Sequence, residues 1–147
     1  MFTTNLLLAF KAEQAGVDGV IVDWESRGKQ ARQKNHPLET NIDTPQDVYN
    51  ISKELKMPVI VRVNPLGTHT ASEITCALDN GAKIIMLPMA QSITEVKTFL
   101  KLIDNRAKVI IQIETPSLAT NVTRLRTLDW DYAYIGLNDL MVATGQS

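Results

Sequence analysis

The chain has 147 residues, a length for one domain, and at that size folding buries roughly 70% of the unfolded surface, enough for a real core. With 44% hydrophobic residues, 21% charged residues and a formal net charge of −1, nothing suggests a disordered tail. The charge balance also gives no electrostatic reason to expect nucleic acid or a membrane as partner. The single cysteine, Cys76, rules out an internal disulfide. Beside Ile74, Ala77 and Leu78 in a helical pattern, it reads as a buried small apolar thiol rather than a nucleophile. No stretch approaches the ~20 apolar residues of a membrane span. The short apolar run 6–10 continues into Lys11 and Glu13 without the charged start of a signal peptide, so a cytoplasmic protein is the expectation.

In chain order, Met1–Thr4 reads as the remnant of a strand and Asn5–Ala15 as a helix. Val17–Val22 is the first full strand. Ser26–Asp43, rich in charged and amide side chains, reads as an inserted loop. Thr44-Pro45 starts a helix, with a capping hydroxyl before a proline at the first helical position. Val59–Val63 is the second strand, and Thr70-x-x-Glu73 reads as a capping box opening the next helix. Asn80-Gly81 ends that helix at a position suited to a left-handed residue. Ile84–Leu87 is the third strand, followed by a second capping box, Ser92-x-x-Glu95. Val109–Ile113 is the fourth strand, Thr115-Pro116 repeats the capping device, and Tyr132–Ile135 is the fifth strand.

These strands are nearly continuous in apolar character, as strands buried on both faces should be. Alternating with amphipathic helices, they imply βαβ units and a parallel sheet. The last four begin about 25 residues apart, the length of one strand–helix–loop unit with short connections. A doubly wound dinucleotide-binding sheet should carry G-x-G-x-x-G after its first strand, and no such motif is present. The expectation is therefore an α/β fold of parallel (β/α) TIM-barrel type over residues 1–147. It is incomplete, with about six of eight strands, since a whole barrel takes about 250 residues.

Function in such a barrel sits at the carboxyl ends of the strands. Those ends carry Asp23 and Glu25, Arg62 and Asn64, Pro88 and Met89, Gln112 and Glu114, and Asn138 and Asp139. Glu114 and Asp139 are the first candidates, because Mg²⁺ takes one or two carboxylates plus waters and substrate oxygens. The plainer alternatives are a helix-dipole contact for Glu114 and an N-cap for Asp139. Arg62 has the guanidinium that grips a substrate carboxylate bidentately, or else it makes an internal salt bridge to Glu25 or Glu114. Asp23 and Glu25 share a face of an extended segment; they support the site or pair with Arg27 or Lys29. His36 and His69 read as loop residues rather than general bases. Lys83 lies at the wrong end of its strand for a Schiff base. Trp24 either walls a pocket or packs, and Trp130 reads as core.

The strand-end motifs carry a resemblance. Val-Ile-Val-Asp-Trp-Glu (20–25), Val-Arg-Val-Asn-Pro (61–65), Gly-Ala-Lys-Ile-Ile-Met-Leu-Pro-Met (81–89), Ile-Glu-Thr-Pro (113–116) and Ile-Gly-Leu-Asn-Asp-Leu (135–140) occur in order and at sensible spacing. Together they resemble the HpcH/HpaI aldolase and citrate lyase β-subunit family, over nearly the whole chain. The resemblance implies a pyruvate/phosphoenolpyruvate-type barrel and a Mg²⁺- or Mn²⁺-dependent carbon–carbon lyase. Its substrate would be a small keto acid or acyl-CoA ester, cleaved through a metal-stabilised enolate. By that carry-over Glu114 and Asp139 ligate the metal, Arg62 and Glu114 contact substrate, and Asp23 and Glu25 join Arg62 in catalysis. Ser26 stands where the aldolase branch carries a histidine and where the citrate lyase branch completes an acidic pair, which leaves the general base unassigned. The alternative reading is a catalytically inactive barrel fragment serving as an oligomerising or interaction domain. An incomplete barrel leaves open strand edges, and either reading predicts a homo-oligomer.

Overall fold

The computed structural model describes residues 1–27 and 43–145. Most of the expected loop 26–43, with His36 and Lys29, lies outside the described residues. Among the described residues the elements are α1 (Leu6–Gln14), β1 (Val20–Asp23), α2 (Pro45–Glu54), β2 (Val59–Arg62), α3 (Thr70–Asp79), β3 (Ile84–Leu87), α4 (Ile93–Ile103), β4 (Lys108–Ile113), α5 (Pro116–Ala119), α6 (Val122–Leu125), β5 (Tyr132–Ile135) and α7 (Leu137–Thr144). The five strands form one parallel sheet in the order β1-β2-β3-β4-β5. Met1–Thr4 adds a stub beside β1. Phe2 bridges Ile21 in parallel, and the Ile21 N–H donates to the Met1 carbonyl at 2.8 Å.

Successive strand residues point to opposite faces, and here each face has its own core. Val20, Val22, Val59, Val61, Ile85, Leu87, Val109 and Ile111 meet the helices, packing with Ile51, Ile74, Val96 and Phe99. Ile21, Ile60, Ile84, Met86 and Ile110 form a second cluster on the other face, with Phe2 against it. Both faces being buried is why the strands read as continuous apolar runs. Each fully buried aliphatic side chain contributes roughly 1.5–3 kcal/mol.

Two observations make the sheet a partial barrel rather than an open one. The strand order has no reversal, whereas a doubly wound sheet turns back at a switch point. In addition, Phe2 from the stub and Tyr134 from β5 meet edge to face, with ring centroids 6.3 Å apart. Side chains from opposite edges of the sheet can touch only if it curls round them. The α/β barrel-type fold, incomplete in this chain, is the architecture expected from the strand pattern.

The local expectations fare unevenly. Thr44 and Asp47 form a full capping box, and Gly81 adopts the left-handed backbone, with φ +100°. Ser92 caps α4 through the Glu95 N–H, but the Glu95 carboxylate reaches back to the Gln91 N–H instead. At Thr70 the expected box is absent. The N-cap is His69, the Thr70 hydroxyl accepts from the Gly67 N–H, and the Glu73 carboxylate binds Asn64. Glu73 has two donors on Asn64, a better partnership than a single helix N–H. The first strand starts at Val20, not Val17. Cys76 is half-buried rather than fully buried. The fifth strand departs most, since all four of its residues are exposed and α7 buries none. Among the described residues no strand lies beyond β5 in the sheet.

Candidate functional site at the strand C-termini

Asp23 and Arg62 are the last residues of β1 and β2 and face each other in register. The parallel pairing therefore puts a carboxylate beside a guanidinium on the inner face. The Arg62 Nε donates to Asp23 Oδ1 at 2.8 Å and Nη2 to Oδ2 at 2.7 Å, a bidentate pair of the strong, geometrically fixed kind. The remaining edge of the guanidinium is shared. Nη1 lies 3.3 Å from Glu25 Oε2 and donates to Gln112 Oε1 at 3.4 Å. The ring of Phe2 covers one face, with its centroid 4.9 Å from the guanidinium carbon. Burial pulls the Arg62 pKa down, but Asp23, Glu25 and Glu114 outweigh it, and the group is held above its ordinary value. Its principal partner is thus Asp23, a pairing that sequence spacing left unassigned.

Glu114 sits two residues beyond Gln112, on the same face of the chain leaving β4. The residue is 1% exposed, and its carboxylate is held from two sides. The Met89 N–H donates to Oε1 at 2.7 Å, and the Gln112 side-chain amide donates to Oε2 at 2.5 Å. Burial is the main cause of its pKa rising from 4.5 to about 7, and the charges of Glu25 and Asp139 add to it. The Met89 N–H and Arg62 act in the opposite direction. Asp139, half-buried in the first turn of α7, is therefore within electrostatic reach of Glu114 although 25 residues separate them in sequence. Arg62, Asp23, Glu25, Glu114 and Asp139 all meet at one end of the sheet. Among the described residues, no group of three His, Cys, Asp or Glu side chains lies close enough to hold a metal ion unaided.

Three residues emerge whose part the sequence did not reveal. Gln112 bridges the guanidinium and the Glu114 carboxylate, its oxygen facing one and its nitrogen the other. Position was its only signal, two residues before Glu114 and so on the same side of the strand. Asn64 accepts the backbone N–H groups of Ser26 and Arg27 at 3.0 and 2.9 Å while donating to Glu73 at 2.8 Å. It thereby fixes the chain where it leaves β1. Asp43 accepts the Asp23 N–H at 2.7 Å, with its own pKa raised chiefly by burial. Nothing in its sequence context pointed there.

The other candidates stand apart. The His69 ring lies 3.1 Å from the Pro65 carbonyl oxygen through Nε2. Lys83 is exposed at the start of β3. Trp24 packs on the main core with its indole nitrogen buried and, among the described residues, without a hydrogen-bond partner. Trp130 also packs there, its indole donating to the Leu125 carbonyl at 2.7 Å.

Solved structures share this architecture at low identity. An HpcH/HpaI aldolase from Desulfitobacterium hafniense DCB-2 superposes with a TM-score of 0.72 at 17% identity, over 98% of this chain and 62% of that one. The citrate synthase SbnG gives 0.74 at 18% identity, over 99% and 63%. An oxaloacetate acetylhydrolase in complex with oxalate gives 0.66 at 10% identity, over 95% and 49%. The chain thus spans less than two thirds of the length of each. No curated protein matches the sequence. The family model for HpcH/HpaI aldolase/citrate lyase matches residues 2–147, and the chain belongs to that family.

Proposed function

We propose that this chain carries the substrate and metal end of a divalent-cation-dependent carbon–carbon lyase acting on a small keto acid or acyl-CoA ester. The observation that carries the reading is Glu114. A carboxylate that is buried, raised to about pKa 7 and set near Glu25 and Asp139 is electrostatically costly in its charged form unless a cation joins it. Two carboxylates from adjacent strand ends, with water and substrate oxygens completing the shell, suit Mg²⁺ or Mn²⁺. Glu114 and Asp139 are the proposed ligands. A cation there would act as a Lewis acid on a keto-acid carbonyl and lower the cost of the enolate left by carbon–carbon cleavage.

The remaining roles follow from the hydrogen bonds. Arg62 has committed Nε and Nη2 to Asp23, so only its Nη1 edge, shared by Glu25 and Gln112, is open to exchange with substrate. Asp23 orients the guanidinium and keeps it charged. Glu25, two residues further along, is the proposed proton-handling carboxylate. Calorimetry with Mg²⁺ and Mn²⁺, with and without pyruvate or oxaloacetate, tests the reading. Metal binding that strengthens with the keto acid and vanishes in Glu114→Gln supports it. A folded wild-type protein that binds neither metal sinks it.

A second reading has its own observation. Tyr132, Tyr134, Ile135, Leu137 and Val142 are all exposed along β5 and α7, and an uncovered apolar edge favours association. On this reading the chain is an oligomerising domain, and sedimentation finds it self-associated whether or not metal is present. A monomer at micromolar concentration overturns it.

A further inference from the structure

Three features converge on Glu114 from the two neighbouring strand ends. The first is Met89, just past β3, with φ +54°. A long side chain seldom tolerates this left-handed region, at a cost of roughly 1–2 kcal/mol, and such outliers persist where the surroundings impose them. The second is what this backbone achieves, for the Met89 N–H points at Glu114 Oε1 from 2.7 Å. The third is Gly136, just past β5. A Cβ built there would lie 2.5 Å from Glu114 Cβ, 2.7 Å from Oε2 and 3.3 Å from the Gln112 amide nitrogen. Its φ is −86°, so glycine is needed at this position for space and not for backbone freedom.

We infer that Met89 and Gly136 are positioning residues that hold the Glu114 carboxylate in a single orientation, Met89 through a left-handed N–H and Gly136 through the absence of a side chain. The inference deepens the proposed function and rests on Glu114 acting as a ligand for its activity consequence. The geometry of the carboxylate is independent of that. Pre-organising a ligand in this way removes reorganisation from the binding step. It also explains why a strained backbone sits beside a buried acid of the site.

The test uses the full chain and four variants. Met89→Asn keeps the N–H and a side chain at ease in the left-handed region, whereas Met89→Val keeps the N–H but disfavours that backbone. Gly136→Ala drives a methyl into Glu114, and Glu114→Gln is the reference for a lost ligand. Mn²⁺ affinity is read by electron paramagnetic resonance, and the Met89 amide by ¹H–¹⁵N spectra of ¹⁵N-methionine protein. The expected result is a tenfold or greater loss of Mn²⁺ affinity in Met89→Val and Gly136→Ala, with Met89→Asn within threefold of wild type. The Met89 amide, shifted downfield by its carboxylate partner in wild type, should move upfield in Gly136→Ala with the fold retained. An unmoved amide and unchanged affinity in Gly136→Ala would overturn the inference, as would equal losses in Met89→Asn and Met89→Val. If Gly136→Ala does not fold, the two Met89 variants decide. If wild type binds no Mn²⁺, the proposed metal site fails, and the amide shift still decides whether Gly136 positions Glu114.

Discussion

The two ends of the sheet use carboxylates in opposite ways. At the amino end two acids serve backbone donors. Glu13 Oε1 accepts the N–H groups of Lys56 and Met57, both at 2.7 Å, and Asp131 Oδ2 accepts the Val109 N–H at 2.8 Å. These contacts tie helix, loop and strand together. At the carboxyl end Asp23, Glu25 and Glu114 gather around Arg62, and the charges of Glu25 and Asp139 bear on Glu114. Dispersed acids stabilise a fold. Gathered acids destabilise one another, and such a cluster makes sense where something else is to be bound.

The largest effect expected from breaking this contrast is at Asp23. Asp23→Ala leaves the Arg62 guanidinium buried without its bidentate partner, which should cost about 3–5 kcal/mol in urea unfolding and slow any lyase turnover. A cost under 1 kcal/mol would mean that Glu25 and Gln112 hold Arg62 unaided. A smaller effect is expected from pH. Glu114 binds its proton more tightly folded than unfolded, so its stabilising contribution is complete below pH 4.5 and is lost as pH rises through about 7. Wild type should therefore lose stability relative to Glu114→Gln over that window, while its divalent-metal affinity rises. Parallel stability curves for the two proteins would remove Glu114 from the account. At the other end, Glu13→Ala should cost about 1–3 kcal/mol by orphaning two backbone donors and leave Mn²⁺ affinity unchanged. Altered metal binding there would show that the two ends are coupled.

Legibility followed the same division. The strands, their parallel order and the sequence of motifs were readable because burial on both faces writes continuous apolar runs, and because a barrel places every strand end at one mouth. Asp23, Glu25, Arg62, Glu114 and Asp139 could be collected by that rule. Their pairing could not. The bidentate bond of Arg62 to Asp23 depends on the register between β1 and β2, and the two hydrogen bonds of Gln112 depend on how the sheet curls. The Thr70 capping box failed for a related reason, since Glu73 took Asn64 as its partner. Asp43 was hidden because its contact crosses from an irregular segment to a strand. The exposure of β5 was illegible as well, because its sequence reads like any buried strand.

The smallest expected effect sharpens the contrast from within the carboxyl end. His69 lies in the loop beyond Arg62, where sequence alone leaves a general base as one of its readings. Its Nε2 is 3.1 Å from the Pro65 carbonyl. The ring also lies directly under Gly67, where a Cβ would come within 2.6 Å of it. The side chain thus closes the turn 65–69, and none of its hydrogen bonds reaches Arg62 or Glu114. A glutamine can also donate to that carbonyl, so His69→Gln should change stability by no more than about 0.5 kcal/mol and leave both metal affinity and the pH dependence of turnover in place. If the folded variant instead changed the pH profile of turnover, His69 would be handling a proton. The group of residues around Arg62 would then have to be redrawn to include the loop after β2.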